Sequence, residues 1–134
     1  MNKKKHIINA TSSQTAGPFL HIGCSPNLIG LKNIFDNDLG YKIFKNPSKN
    51  KLINISGKIF DGDNKPVLDA MIETWQCDQN GVFLKDEGFG RIIPNPNSGK
   101  YKFQTLKPGF YKNFDGKLKS PHIMFWIVAR GINS

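Results

Sequence analysis

Turn-forming residues recur along this sequence at intervals too short for a long helix, and this spacing limits the possible folds more than any other feature. The clearest turn signals are DGDNKP (61–66) and DQNG (78–81). Between the turns lie segments such as LINISGKIF (52–60) and KYKFQTL (100–106), in which apolar and polar residues alternate. A period of two indicates strands whose two faces differ in polarity. The sequence therefore predicts an all-β fold, a β-sandwich of short, mostly antiparallel strands with long loops.

The segments outside these strands define the predicted domain organisation. Residues 1–10 are expected to form a flexible N-terminal tail, and residues 11–134 a single β-sandwich domain long enough for one hydrophobic core. PVLDAMIETWQC leads into a further strand, after which DQNG closes a tight hairpin turn. DEGFGRIIPNPNSG (86–99), which contains two prolines, is predicted to be a long loop.

The C-terminal part of the sequence contains a near-continuous apolar run, HIMFWIVA (122–129). Such a run is typical of a central strand that is apolar on both faces. A central strand needs a neighbour on each side, yet the sequence ends five residues after Ala129. We therefore expect either that the sandwich is incomplete at its C-terminal end or that a partner covers the exposed strand edge.

The net charge of +9 does not indicate a nucleic-acid-binding protein. Of the 19 basic residues, 17 are scattered lysines, and only Arg91 and Arg130 carry the guanidinium group that reads base edges well. A lysine-rich surface could still steer a small anionic substrate toward a cleft.

The location of the protein follows from the apolar segments and the cysteines. No segment is long enough to span a membrane, and the basic start MNKKKHIINA is not followed by the apolar run of a signal peptide. Cys24 and Cys77 are too few for a disulfide framework, so we expect free thiols in a cytoplasmic protein.

Tyr111 and His122 are candidate metal ligands, eleven residues apart across a loop rich in proline, glycine and lysine. On a strand that begins at His122, Met124 would share its face, where a His-x-His pair would form a two-point clamp. The thioether of Met124 suits Cu(I) far better than a hard cation such as Fe(III). The residues alone leave three interpretations open: a metal site, half of one, or an ordinary strand.

Several stretches together resemble the intradiol ring-cleaving aromatic dioxygenases, and they cover nearly the whole chain. The matching stretches are SQTAGPFLHIG (13–23), GKIFDGDNKPVLDAMIETWQCDQNG (57–81), FGR (89–91), TLKPGFY (105–111), and PHI with ARGIN (121–133). SQTAGPF, HIG and ARGIN are most similar to the alpha-type subunits of the family rather than to its iron-bearing beta-type subunits.

The resemblance implies a ligand set that this chain keeps only in part. The catalytic subunits of the family hold a non-haem ferric iron with two tyrosines and two histidines. Tyr111 and His122 match one position of each kind, whereas Met124 replaces the second histidine and Phe83 replaces the other tyrosine. The resemblance thus implies no iron on this chain and non-haem Fe(III) on a partner beta subunit.

The resemblance also implies that an alpha-type chain lines the substrate pocket of its partner. The residues concerned are Thr15, Gly17 and Pro18 of the N-terminal loop, together with Arg130. Glycine lets the backbone approach a ligand, proline stiffens the loop, and the threonine hydroxyl can donate a hydrogen bond. Arg130 could attract the carboxylate of a benzoate-type substrate.

The expected function is a subunit that pairs with a catalytic beta subunit in a hetero-oligomer. The complex would open the ring of a catechol-type aromatic acid with O₂ during aromatic-compound degradation, and the isolated chain would be inactive. One alternative is a self-sufficient intradiol dioxygenase with altered iron ligands. Another is a non-catalytic β-sandwich interaction module.

Overall fold

The protein is described by a computed structural model, which places residue 12, residues 16 and 17, residues 19–48 and residues 51–133. The predicted tail, residues 1–10, lies outside the described residues. No helix in these described ranges is both long enough and apolar enough to cross a bilayer.

The described chain contains one short helix and eight strands, so the predicted all-β class is confirmed. The elements are, in chain order, α1 (Leu20–Cys24), β1 (Leu52–Lys58), β2 (Met71–Trp75), β3 (Phe89–Ile92), β4 (Lys100–Leu106), β5 (Tyr111–Lys112), β6 (Leu118–Lys119), β7 (Met124–Ala129) and β8 (Ile132–Asn133).

The strands form three antiparallel sheets. β1 pairs with β4 along its whole length, from Leu52 opposite Leu106 to Lys58 opposite Lys100. The larger sheet has the order β3-β2-β7-β8, and β5 and β6 form a small hairpin. Because side chains alternate across a strand, Ile72 and Thr74 of β2 lie on the face opposite to Glu73 and Trp75.

The β1–β4 pair and the larger sheet form two layers. A buried apolar cluster of Ile43, Phe44 and Leu106, with Leu52, Leu84 and Phe103 packed against it, lies on the β1–β4 layer. Phe103 of β4 packs against Phe125 of β7, with ring centroids 6.1 Å apart, and so joins the two layers. The buried Gln76 side chain accepts a 2.7 Å hydrogen bond from Thr105 and donates one to the Leu106 carbonyl. This amide ties the end of β2 to β4 with both its oxygen and its nitrogen paired, whereas the buried Thr74 hydroxyl has no hydrogen-bond partner among the described residues.

The structure confirms β1, β2 and β4 but shows that the predicted loop over residues 86–99 was wrong in part. Phe89–Ile92 forms β3, which pairs with β2. Gly90 is required here because a Cβ atom at this position would lie 2.6 Å from the Thr74 hydroxyl. The glycine that resembled a loop signal is therefore a close-packing residue within a strand.

The predicted strand HIMFWIVA begins two residues later than expected, at Met124. β7 pairs with β2 along Met124–Val128, but β8 pairs only with Val128 and Ala129 on the other edge. Within the described ranges, no strand pairs with the β8-side edge at Met124–Ile127. Met124, Phe125 and Trp126 are all exposed.

Candidate functional site

The turn at residues 78–81 brings two distant segments together at one end of β2. Its Asp78 carboxylate accepts hydrogen bonds from the backbone of Asn80 and Val82, and Gly81 adopts a φ of +80°. A Cβ atom on Gly81 would overlap the carbonyl oxygen of Phe110. Glycine therefore allows the turn to pack directly against the segment that leads into Tyr111. The predicted turn is confirmed, although the strand that pairs with β2 begins only at Phe89.

A buried thiol also joins β2 to this segment. Cys77 donates a hydrogen bond of 3.5 Å from Sγ to the Gly109 carbonyl. Burial raises the pKa of the Cys77 thiol above its ordinary value of 9.0, so the donor stays protonated at neutral pH. Both cysteines are free, as predicted.

Tyr111 and His122 lie side by side and form a hydrogen-bonded pair. The imidazole Nδ1 is 2.7 Å from the Ser120 carbonyl oxygen, which can only accept, so Nδ1 carries a proton. In the neutral ring, Nε2 then accepts from the Tyr111 hydroxyl at 3.4 Å. An imidazole whose Nδ1 is fixed by a backbone carbonyl is common among metal-ligating histidines, but here its Nε2 faces the Tyr111 hydroxyl.

The other two predicted ligand positions lie at the same end of the sheet. The Phe83 ring meets Tyr111 edge-on at a centroid distance of 4.9 Å and stacks on Trp75 at 6.0 Å. Met124 lies directly opposite Trp75 in the pairing of β2 with β7. The four positions named from the sequence therefore cluster around Trp75. An open groove of about 460 Å³ reaches Met124 but none of the other three positions, and it is lined by Glu73, Thr74, Trp75, Phe89, Met124, Phe125 and Trp126.

This donor set does not fit a ferric ion. The Phe83 ring has no donor atom, and the Met124 thioether is a soft ligand unsuited to hard Fe(III). Only Tyr111 and His122 supply suitable atoms, and they bond to each other. Among the described residues, no group of three or more His, Cys, Asp or Glu side chains could hold a metal ion.

Arg130, the predicted substrate-binding arginine, lies at the far end of β7. It donates from Nε to the Asp69 carboxylate at 2.7 Å, and its side chain is 73% exposed. His122 lies two residues before the start of β7 and Arg130 directly follows its end, and the five steps from Met124 to Ala129 alone span roughly 16 Å, at about 3.3 Å per strand residue. The structure thus does not place Arg130 beside the Tyr111–His122 pair.

The predicted N-terminal loop is described only in part. Thr15 and Pro18 lie outside the described residues. Gly17 is exposed, and its carbonyl accepts from the Leu20 backbone at 3.2 Å, which starts α1. A Cβ atom on Gly17 would meet nothing within 4 Å, so the space beside this glycine is open.

Two residues with evident structural importance were missed by the sequence reasoning. Arg91 donates from both Nε, at 2.9 Å, and Nη2, at 2.6 Å, to the single oxygen Oε1 of Glu73, and from Nη1 to the Cys24 carbonyl at 2.9 Å. Asp69 was also missed as the partner of Arg130. Glu73 and Arg91 lie on adjacent strands, and a strand assignment for residues 89–92 would have revealed the pair.

Comparison with known proteins gives one family. A family model described as Dioxygenase matches residues 32–124. The protocatechuate 3,4-dioxygenase alpha chain of Pseudomonas putida is 33% identical over 134 residues, which cover 95% of this chain and 66% of that one. The protocatechuate 3,4-dioxygenase beta chain of Burkholderia cepacia is 29% identical over 105 residues, covering 67% of this chain and 44% of that one.

A solved structure confirms the sandwich architecture. The hydroxyquinol 1,2-dioxygenase of Pseudomonas putida DLL-E4 superposes with a TM-score of 0.58 at 21% identity, covering 95% of this chain and 47% of that one. The chain thus spans just under two thirds of the length of the Pseudomonas putida alpha chain and about half of the length of the hydroxyquinol 1,2-dioxygenase.

Proposed function

This chain belongs to the intradiol dioxygenase family, and from that premise we propose that it is an alpha-type subunit of a protocatechuate 3,4-dioxygenase-like enzyme. It pairs with an iron-bearing beta subunit and lines the active-site pocket of that subunit. The complex cleaves the ring of a protocatechuate-like aromatic acid with O₂, between the two hydroxylated carbons. The isolated chain is inactive.

The ligand cluster around Trp75 carries this proposal. The family consists of non-haem iron enzymes, yet here two of the four ligand positions hold a phenyl ring and a thioether. The two remaining donors, Tyr111 and His122, are directed at each other. A chain with this arrangement acts in an iron enzyme only if another subunit holds the iron.

Two observations support a hetero-oligomer. Relatives of this chain are named as an alpha chain and a beta chain of protocatechuate 3,4-dioxygenase. In addition, Met124, Phe125 and Trp126 are exposed in succession on β7. Contiguous apolar exposure of this kind marks interaction surfaces in many proteins.

In the complex, this chain contributes binding groups rather than reacting groups. The Arg130 guanidinium attracts the carboxylate of the aromatic acid, because a planar fork of donors matches a carboxylate. Thr15, Gly17 and Pro18 form the loop that approaches the substrate. The domain organisation, a tail over 1–10 and a sandwich over 11–134, and a cytoplasmic location stay predictions of the same proposal.

Co-expression with a beta chain that carries all four ligands tests the proposal. We expect the two chains to co-purify with stoichiometric iron and to consume O₂ when protocatechuate is added. This chain purified alone should hold no stoichiometric iron and show no uptake. Iron and uptake in the isolated chain would instead support a self-sufficient dioxygenase, and failure to bind any beta chain would favour an unrelated interaction module.

A gain-of-ligand variant tests whether donor loss accounts for the missing iron. Phe83→Tyr combined with Met124→His supplies a phenolate and an imidazole beside Tyr111 and His122. We expect this variant alone to retain iron through dialysis and to show the visible absorption of a phenolate–Fe(III) bond. Phe60→Tyr with wild-type Met124 is the matched control and should stay colourless. A colourless double variant that folds normally would contradict the donor argument.

A further inference from the structure

The hairpin over residues 111–119 projects from the end of the sheet beside the Trp75 cluster. Its two strands, β5 and β6, pair Tyr111 with Lys119 and Lys112 with Leu118. The base is held by the Tyr111–His122 hydrogen bond and by the edge-on contact of Phe83 with Tyr111. The two retained donor residues therefore anchor this hairpin to the sheet.

The tip of the hairpin is ordered by its own hydrogen bonds. Asn113 donates from its backbone to the Lys117 carbonyl at 3.0 Å, and its side-chain oxygen accepts from the Lys117 backbone at 2.8 Å. Gly116 has a φ of +74° and donates to the Asn113 carbonyl at 2.9 Å. A turn closed in this way presents its side chains in one arrangement, which lowers the entropy cost of binding.

This ordered turn presents an apolar side chain to solvent. The relative exposure of Phe114 is 111%, and that of Leu118 behind it is 65%. A phenylalanine at a rigid tip contributes nothing to the core of its own chain. Buried aromatic anchors dominate the binding energy of many protein interfaces when they enter a pocket on the partner.

The surroundings of Phe114 are strongly basic. Four of the thirteen residues from 107 to 119 are lysines, compared with 17 of 134 in the whole chain, and Asp115 is the only acidic residue among them. All four, namely Lys107, Lys112, Lys117 and Lys119, are exposed. An apolar anchor on a lysine-rich segment is complementary to an apolar pocket with an acidic rim.

We propose that the hairpin is a docking element that inserts Phe114 into an apolar pocket ringed by carboxylates on the catalytic partner chain. This inference rests on the proposed function, since it names the contact through which the two subunits recognise each other. Phe114 supplies the apolar anchor, and the lysines accelerate association and fix the orientation. The Tyr111–His122 pair holds the base of the hairpin so that the tip approaches in one orientation.

Affinity measurements between the purified chain and its beta-type partner test the inference. We expect Phe114→Ala to weaken binding at least tenfold, mainly through faster dissociation. Phe60→Ala is the matched control, because Phe60 is also exposed, at 52%, but lies two residues after the end of β1, where its backbone bridges to Pro66. It should bind like the wild type. Equal melting temperatures of the two variants would show that both chains fold.

Charge reversal tests the contribution of the hairpin lysines separately. Lys117→Glu with Lys119→Glu should slow association several-fold at low salt, and this difference should shrink as salt is raised. Lys32→Glu with Lys100→Glu makes the same change in net charge on exposed residues outside the hairpin. This control should change the association rate much less.

The outcomes separate this inference from the proposed function. If the complex forms and Phe114→Ala binds like the wild type, the docking element is wrong while the subunit assignment stands. If the wild-type chain binds no beta chain, both are wrong. Binding to phosphatidylserine vesicles that Phe114→Ala abolishes, without any effect on the complex, would overturn the docking role in favour of a membrane contact.

Discussion

The two arginines of this chain form ion pairs of nearly equal length in opposite environments. Arg91 reaches Glu73 at 2.6 Å with side-chain exposures of 13% and 14%, and Arg130 reaches Asp69 at 2.7 Å with exposures of 73% and 39%. Arg91 uses three nitrogens, two on Glu73 and one on the Cys24 carbonyl. Arg130 donates to Asp69 from Nε, and most of its side chain faces solvent.

This difference separates a structural arginine from a candidate ligand-binding one. The Arg91 guanidinium uses all three of its nitrogens to hold β2, β3 and the end of α1 together, and its side chain is only 13% exposed. The Arg130 fork is held in position by one carboxylate and still presents donors outward. The N···O distances alone would suggest that the two ion pairs are equally strong. Their burial and the number of arginine nitrogens that donate show that they are not.

The largest expected effect is on stability at Arg91. Arg91→Ala leaves the Glu73 carboxylate largely buried without its partner and also removes the donor to the Cys24 carbonyl. We expect a loss of about 3–5 kcal/mol in the free energy of unfolding, measured by urea denaturation.

Arg91→Lys sharpens this expectation because it keeps the charge but cannot donate from three nitrogens held in one plane to Glu73 and the Cys24 carbonyl. It should fall between the wild type and the alanine variant. If Arg91→Ala lost less than about 1 kcal/mol, the pair would resemble an exposed one and the contrast between the two arginines would fail.

The second largest expected effect is on the kcat/KM of the assembled complex when Arg130 is replaced. In the assembled complex, Arg130→Ala should lower kcat/KM for protocatechuate about 10- to 100-fold, through KM, because a hydrogen bond to a charged group contributes about 1.5–3 kcal/mol. The melting temperature should hardly change. The control is catechol, which lacks the carboxylate and should be turned over equally by both forms.

An equal loss of kcat/KM with protocatechuate and with catechol would show that Arg130 stabilises the fold of the complex rather than binding the substrate carboxylate. Arg130→Lys refines the result, since an ammonium retains the charge and loses the planar fork. Its KM for protocatechuate should lie between that of the wild type and that of Arg130→Ala.

The sequence predicted the fold class well because the signals of β1 and β4 are local. Their alternation is visible within seven residues, and both strands are confirmed. β3 was missed because Gly90 and Arg91 look like loop residues unless their tertiary partners, Thr74 and Glu73, are known. β5 and β6 were missed because two residues are too few for any periodic signal.

In the candidate site, too, the positions could be read from the sequence, whereas the contacts between them could not. The positions of Tyr111, His122, Phe83 and Met124 were inferred from family motifs, and the structure brings them to one end of the sheet. The hydrogen bond between Tyr111 and His122 could not be predicted, because it depends on the late start of β7 and on the Ser120 carbonyl. Asp69 as the partner of Arg130 is likewise set by a contact between residues 61 positions apart.

The smallest expected effect is at Asp69. Asp69→Asn removes the charge of an exposed pair, and we expect the free energy of unfolding to change by less than about 1 kcal/mol. A double-mutant cycle with Arg130→Ala should give a coupling energy in the same range, and 1 M salt should reduce it, because exposed charges are screened.

The same substitution has a second readout in the complex that stability does not supply. If Asp69 only positions Arg130, then Asp69→Asn should raise KM for protocatechuate less than Arg130→Ala does and leave catechol unaffected. Its effect should vanish when Arg130 is already alanine. A KM effect that persists in the Arg130→Ala background would place Asp69 itself at the substrate and overturn its role as a positioning residue.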